Sequence, residues 1–282
     1  MHTLKRMTFL FLFVLFCSGC MQKDKARMEL EENSSGYGVF LSVPGEEIEV
    51  RSAGCQTVVV DAQYVSKETI HRMRQRGQTV YTYLNIGSME TFRPYFNEYE
   101  ELIQKPYENW EEEYWVDVTD RKWHTFTKAL SLKLLEKGVD GFWVDNVDVY
   151  SHFPNPDTYR ALETILKDLI KTDKEVILNS GNEFVEDYFQ QNKEVASILT
   201  GVNQETVFSS INFETGTFGR QSSSETAYFL EYLEQLDALG KDVYLLEYTT
   251  DPALKEQIRK FAKQKQWDYD ISESIELDGI SQ

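Results

Sequence analysis

Cysteine is scarce in this chain: Cys17, Cys20 and Cys55 are the three among 282 residues. Two of them sit near the N-terminus, so no internal disulfide is expected and packing has to hold the fold. Histidine is scarce too. His2, His71, His124 and His152 are scattered, and no His, Cys and Asp combination has metal-site spacing. No glycine-rich phosphate fingerprint follows the first strand-like run, which argues against a dinucleotide fold. Ser180-Gly181 is not a nucleophile elbow and no histidine partners it. Positive charge is outweighed, 29 Lys and Arg against 47 Asp and Glu, for a formal charge of −18. Such a chain repels nucleic acid but not a neutral or cationic ligand. No apolar run reaches the roughly 20 residues of a membrane-spanning helix.

The N-terminus carries an address. His2, Lys5 and Arg6 make a basic start, Thr8–Phe16 is apolar, and Cys17-Ser18-Gly19-Cys20 closes it with small residues before a cysteine. That order is a secretory signal with a lipobox-like end. It resembles bacterial lipoprotein signals, with Cys17 where Leu is usual. Residues 1–19 are expected to be a signal peptide, Cys20 the lipidated residue, and 20–35 a flexible polar tether. The expected product is an exported cell-membrane lipoprotein on the extracytoplasmic face, and a monomer. Loss of Lys5 and Arg6 with the signal makes it two charges more negative.

The body, residues 36–282, is long enough for one (β/α)8 barrel. Strand-like runs at Thr57–Ala62, Val80–Leu84, Tyr114–Val118, Gly141–Val144, Val176–Leu178, Ile198–Val202, Val243–Leu246 and Trp267–Ile271 alternate with helical patterns. Asn155-Pro156 and Asp251-Pro252 read as helix caps followed by proline at the first helical position. The repeated strand–helix order predicts an α/β fold with a single (β/α)8 TIM-type barrel. Tyr37–Ser42 is expected to plug or flank it, and Asn85–Glu113 and Thr206–Ser224 to be long loops.

Barrel enzymes place reactive groups just past the C-terminal ends of strands. Those positions hold Asp61, Asn85, Asp117, Asp145, Asp148, Asn179, Glu205 and Glu247. In Asp140–Asp148 an apolar strand runs straight into Asp145-Asn146-Val147-Asp148, and a carboxylate at the rim of a core is costly unless hydrogen-bonded or used. Glu205 follows another strand-like segment, a position that fits equally a loop carboxylate paired with an arginine and a carboxylate facing Asp145 across the mouth. Two carboxylates on opposite sides of a bond are what glycoside hydrolysis requires. No cofactor or metal is called for. Trp110 and Trp143 are the aromatics expected near the mouth, and the spacing of Trp123 makes it core. A carbohydrate-binding lipoprotein without activity is the alternative from another class, and a hydrolase of a different glycan the alternative among enzymes.

At these residues the chain resembles the endo-α-1,4-polygalactosaminidases, glycoside hydrolase family 114, over roughly Tyr37 to Ser274. The resemblance rests on Val60-Asp61 with Tyr64, on Tyr83-Leu84-Asn85-Ile86-Gly87 with Glu90 and Arg93, and on Val116-Asp117 with Trp123. It continues through Gly138-Val139-Asp140-Gly141 to Asp145-Asn146-Val147-Asp148, then Asn179, Gln204-Glu205 and Glu247-Tyr248. Relatives often carry Asp where this chain has Glu247. The resemblance implies a TIM-type barrel and retaining hydrolysis of an α-linked galactosamine polysaccharide, with Asp145 as nucleophile and Glu205 as general acid/base. It implies that Asp61, Asn85, Glu90, Arg93, Asp117, Asp148, Asn179, Glu247 and Tyr248 contact substrate. Asp145 is expected to rest ionised and Glu205 protonated.

Overall fold

A computed structural model describes residues 36–279; the expected signal peptide, the tether and Cys20 lie outside the described residues. One sheet contains eight parallel strands in spatial order of sequence: β1 (Tyr37–Phe40), β2 (Thr57–Val60), β3 (Thr79–Asn85), β4 (Gly141–Asp145), β5 (Glu175–Asn179), β6 (Gly201–Glu205), β7 (Asp242–Tyr248) and β8 (Asp268–Ser272). Helices fill the connections, and the sheet curls into a nearly closed (β/α)8 barrel. At the seam the Asp270 carboxylate of β8 accepts the Val39 amide of β1 at 2.8 Å, so a side chain bridges the two edge strands.

The helices start where local chemistry provides for their free N–H groups. Ser66 accepts from the Thr69 amide, Asp120 from Lys122, Asn155 from Asp157 and Thr158, and Asp251 from Ala253. Each such cap contributes about 1 kcal/mol. Proline follows Asn155 and Asp251 inside the first turn, as the sequence predicts.

Period-two alternation along the strands sorts the core into two parts. One set faces the barrel axis and is rich in rings: Tyr37, Tyr81, Tyr83, Trp143, Tyr244 and Tyr248 with Val39, Val59, Ile177 and Leu246. The larger set packs strands against helices, among them Val58, Val60, Leu84, Phe142, Val144, Leu178, Val202 and Leu245. Fully burying one such side chain is worth roughly 1.5–3 kcal/mol.

Three expectations change. Tyr37–Phe40 is not a plug but the first barrel strand, paired parallel with β2 from Tyr37↔Thr57 to Phe40↔Val60. Tyr114–Val118 is not a barrel strand. Glu113–Val116 is the middle of a separate antiparallel sheet with Ser88–Glu90 and Ile103–Pro106, built from the segment expected to be a long loop. The chain leaves the barrel at Gly87, where an added Cβ would lie 1.8 Å from the Asn146 carbonyl oxygen, so only glycine fits this close crossing. Within the second expected loop, Ser209–Asn212 and Thr217–Arg220 form an antiparallel hairpin. Among the described residues no helix is long and apolar enough to cross a membrane.

Candidate active site

Three neighbouring strands end alike. β4 ends in Asp145, β5 in Asn179 and β6 in Glu205, and the next residue of each has a left-handed backbone: Asn146 at φ 62°, Ser180 at 59° and Thr206 at 54°. This conformation is uncommon outside glycine and clusters at functional sites. Here it turns the chain away sharply, leaving the last strand residue aimed inward. The same parity places Trp143 beneath Asp145, Ile177 beneath Asn179 and Asn203 beneath Glu205.

The Asn179 side-chain amide joins the two carboxylates. Its Nδ2 donates to Asp145 Oδ1 at 2.9 Å and to Glu205 Oε1 at 2.7 Å. The sum of those lengths bounds the separation of the two oxygens. The Tyr248 hydroxyl donates to Glu205 Oε2 at 2.8 Å. Both carboxylates are half-buried and line a cavity of about 720 Å³. Burial raises Asp145 well above the carboxylate range; Asn179 and Tyr83 oppose it as donors, while the Glu205 and Glu113 charges add to it. Burial likewise raises Glu205, against the donors Asn179 and Tyr248. Two carboxyls around one donor titrate as a unit. The repulsion between them is mutual, so the expected division, Asp145 ionised and Glu205 protonated, is a property of the pair rather than of either carboxyl alone.

A second cluster lies in the same cavity. Arg93 donates through Nη1 to Asp61 Oδ2 at 2.5 Å, and through Nε and Nη2 to the two Glu90 oxygens at 3.0 and 2.8 Å. The rings of Phe92, Tyr83 and Tyr64 lie 5.0, 5.5 and 5.7 Å from its guanidinium carbon. Burial works against this cation, but Glu90 and Asp61 outweigh it and raise its pKa. Asp61 is raised by burial, with Arg93 opposing.

Asp61, Glu90, Arg93, Asp145, Asp148, Asn179, Glu205 and Tyr248 all line the cavity, as do Trp110 and Trp143. Asp148, raised by burial to about 6, accepts the Gly181 amide at 3.2 Å. Three residues expected to contact substrate do not line it. Asp117 follows a strand of the antiparallel sheet and lines a separate, smaller cavity with Asn155 and Thr158. Glu247 has the opposite parity to Tyr248, so it points out of the barrel. There it is fully buried, accepts the Phe208 and Ser209 amides at 2.9 and 2.8 Å, and is raised to about 7 by burial. Asn85, opposite Asp145 in the ladder, is buried and donates to Ser88 Oγ at 2.7 Å.

Asn85 and Ser88 lead to a residue the sequence did not single out. Glu113 lines the cavity, and its Oε1 accepts from Ser88 Oγ, Asn85 Nδ2 (3.2 Å) and Asn146 Nδ2 (2.9 Å). Burial, then the Glu90 charge, raises it to about 7. It sits in Glu111-Glu112-Glu113, and the sequence signal of an acidic run does not distinguish the inward member from the two exposed ones. Tyr83, on which the resemblance rests, and Tyr107, unassigned from sequence, line the cavity beside it.

A parallel α/β barrel with paired carboxylates at the C-terminal ends of its strands defines a class, the barrel glycoside hydrolases. The comparisons narrow it. The model of glycoside-hydrolase family GH114 matches residues 21–282, and the chain belongs to that family. Among solved structures it is similar to the glycoside hydrolase domain of PelA from Pseudomonas aeruginosa, with TM-score 0.72, 15% identity, and 86% of this chain and 95% of that chain covered. It is also similar to Aspergillus fumigatus Ega3 in complex with galactosamine, with TM-score 0.67, 16% identity, and 88% and 95% covered. No match to this chain was found among curated protein sequences. The enzyme is a glycoside hydrolase.

Proposed function

We propose that the enzyme cleaves an α-linked, galactosamine-containing polysaccharide with retention at the anomeric carbon. The observation that carries this reading is the Asp145–Asn179–Glu205 bridge. Its two hydrogen bonds of 2.9 and 2.7 Å keep the facing oxygens below the roughly 6.5 Å at which inverting pairs begin, since those must leave room for a water. Asp145, at the floor above Trp143, attacks the anomeric carbon and forms a glycosyl ester. Glu205 first protonates the leaving oxygen, then takes a proton from the water that hydrolyses the ester. Asn179 and Tyr248 hold both carboxylates in place.

The lining supports a cationic sugar. Asp61, Glu90, Glu113, Asp145, Asp148 and Glu205 face the cavity with Arg93, which is already paired to Asp61 and Glu90. An unacetylated amino sugar brings the missing positive charge, and Ega3 was solved with galactosamine. Two aromatic rims, Tyr64 with Phe92 and Trp110 with Phe213, provide faces on which sugar rings stack. Incubation with deacetylated and acetylated galactosamine polymers tests the substrate, and NMR of the first-formed anomer tests retention. Release of the β-anomer, or cleavage of neither polymer, overturns the corresponding part.

Export through residues 1–19 and anchoring through Cys20 complete the reading. Cys20→Ala should release the protein or leave it unprocessed; membrane-bound protein of normal processed size would rule the anchor out.

A further inference from the structure

Below the carboxylates runs a chain of buried hydrogen bonds with one direction. Trp143 Nε1 lies 3.0 Å from Tyr37 Oη, Tyr37 Oη lies 3.0 Å from Asn203 Oδ1, and Asn203 Nδ2 lies 2.7 Å from Asn179 Oδ1. Asn179 Nδ2 then faces Asp145 and Glu205. The four members come from β4, β1, β6 and β5, and none is more than 5% exposed.

The direction follows from the first member. An indole N–H can only donate. Tyr37 Oη therefore accepts from it and points its own proton at Asn203. Asn203 must turn its oxygen to Tyr37, which sends its amide nitrogen toward Asn179. Asn179 in turn must present its oxygen downward and its N–H groups upward. Reversing Asn179 alone would set its oxygen against two carboxylates and its nitrogen against a nitrogen, leaving buried polar atoms unpaired.

We propose that Tyr37, relaying the Trp143 donor through Asn203, is a positioning residue that keeps Asn179 donating to both catalytic carboxylates. This rests on the assignment of Asp145 and Glu205 as the catalytic pair. A donor shared by two carboxylates favours their ionised forms. Asp145 also faces Tyr83, Tyr107 and the charge of Glu113, and Glu205 faces Tyr248, Tyr107 and Asp148. Those neighbours belong to other elements and are unaltered by changes at Tyr37 or Asn203.

The test reverses the relay without enlarging any side chain. Tyr37→Phe removes the message. Asn203→Asp keeps the shape but, when ionised, offers Asn179 only acceptors, so Asn179 must turn its N–H groups down and its oxygen toward the pair. The readout is the titration of the Asp145 and Glu205 carboxyl carbons by ¹³C NMR, assigned with Asp145→Asn and Glu205→Gln. It needs no substrate, so a wrong glycan cannot be confused with a wrong relay. In Tyr37→Phe the mean midpoint of the pair should rise by about one pH unit, and in Asn203→Asp by more. With a cleavable substrate, the acidic limb of kcat should move in the same direction while KM changes less than about threefold. Tyr37→Phe and Asn203→Asp that fold and titrate like wild type overturn the proposal, as does a loss of activity with an unmoved pH profile. If either fails to fold, Trp143→Phe carries the same expectation as Tyr37→Phe.

Discussion

The cavity holds two carboxylate clusters built on opposite electrostatic terms. Around Arg93, Asp61 and Glu90 share one buried cation that donates to both and is flanked by three rings. Around Asn179, Asp145 and Glu205 share a neutral donor, and among the described residues no cation is paired with either. A cation held between two acids gives rigidity: removing it leaves buried charge uncompensated. A pair with no cation beside it costs stability but leaves a nucleophile unclaimed. The two clusters should therefore respond oppositely to mutation, one losing stability and the other losing rate.

The largest expected effect is at the pair. Asp145→Asn should lower kcat on a galactosamine polymer about 10⁴-fold or more, because the covalent step is lost. Its thermal midpoint should be unchanged or higher, since a buried repulsion is removed. Glu205→Gln should lose roughly 10²–10⁴-fold on the polymer, yet largely keep the first step on a substrate with a good leaving group. Azide, which needs no general base, should restore turnover to Glu205→Gln on that substrate but not to Asp145→Asn. Equal losses that azide restores in neither would reject the Glu205 role, and full activity in Asp145→Asn would reject the nucleophile.

Arg93→Met comes next and should act on the fold. Leaving Asp61 and Glu90 buried without their cation should cost about 3–5 kcal/mol in denaturant unfolding near neutral pH. The loss should shrink as pH falls and Asp61, raised by burial, takes up a proton. A cost below about 1 kcal/mol, the range of an exposed pair, would mean that the cluster is not a structural unit.

Glu113 lies between the two cases and gives a smaller, cleaner signal. Glutamine can keep the oxygen that accepts from Asn85, Ser88 and Asn146, so Glu113→Gln should fold normally. If Glu113 meets the substrate amine, KM for deacetylated oligomers should rise about tenfold, near 1.4 kcal/mol, and KM for acetylated ones should not. Equal changes for both would remove it from amine recognition.

The same residue should also shape stability against pH. The Glu113 value of about 7 in the fold lies above its ordinary 4.5. The folded chain thus holds a proton that the unfolded chain releases. This contribution is fully present below about pH 4.5 and is lost as pH rises through about 7. Glu113→Gln removes the loss. Its thermal midpoint should exceed that of wild type at about pH 8 by a few degrees, roughly 1–3 kcal/mol, and match it at about pH 5. A difference of the same size at both pH values would show that Glu113 is not the titrating group.

Much of this is legible in the residues. Asp145 and Asn179 end apolar runs, so their places at strand ends can be read from a few neighbouring residues. Glu205 is less direct: its strand begins at Gly201 rather than Ile198, so Glu205 closes the strand instead of lying in the loop beyond it. Glu247 is misplaced by sequence because side chains alternate in direction along a strand, and its neighbour Tyr248 takes the inward position. Asp117 is misplaced because a run of the right composition, Tyr114–Val118, reads as a barrel strand in place of Tyr37–Ser42.

The sequence by itself determined what acts within a few residues: helix starts at Ser66, Asp120, Asn155 and Asp251, the alternation of strand and helix, and the carboxylates that close the apolar runs. Capping and periodicity depend on bonds between residues two to four apart, so their causes are adjacent in the chain. The tertiary structure alone decided which runs became barrel strands, which member of Glu111-Glu112-Glu113 turns inward, and which way the Asn179 amide points. Those outcomes depend on partners far away in sequence: Tyr37 is 166 residues from Asn203, and Trp143 is 106 from Tyr37. Their hydrogen bonds exist only after the barrel has brought strands β1, β4, β5 and β6 around one axis, and a donor that cannot accept then fixes the direction of everything above it.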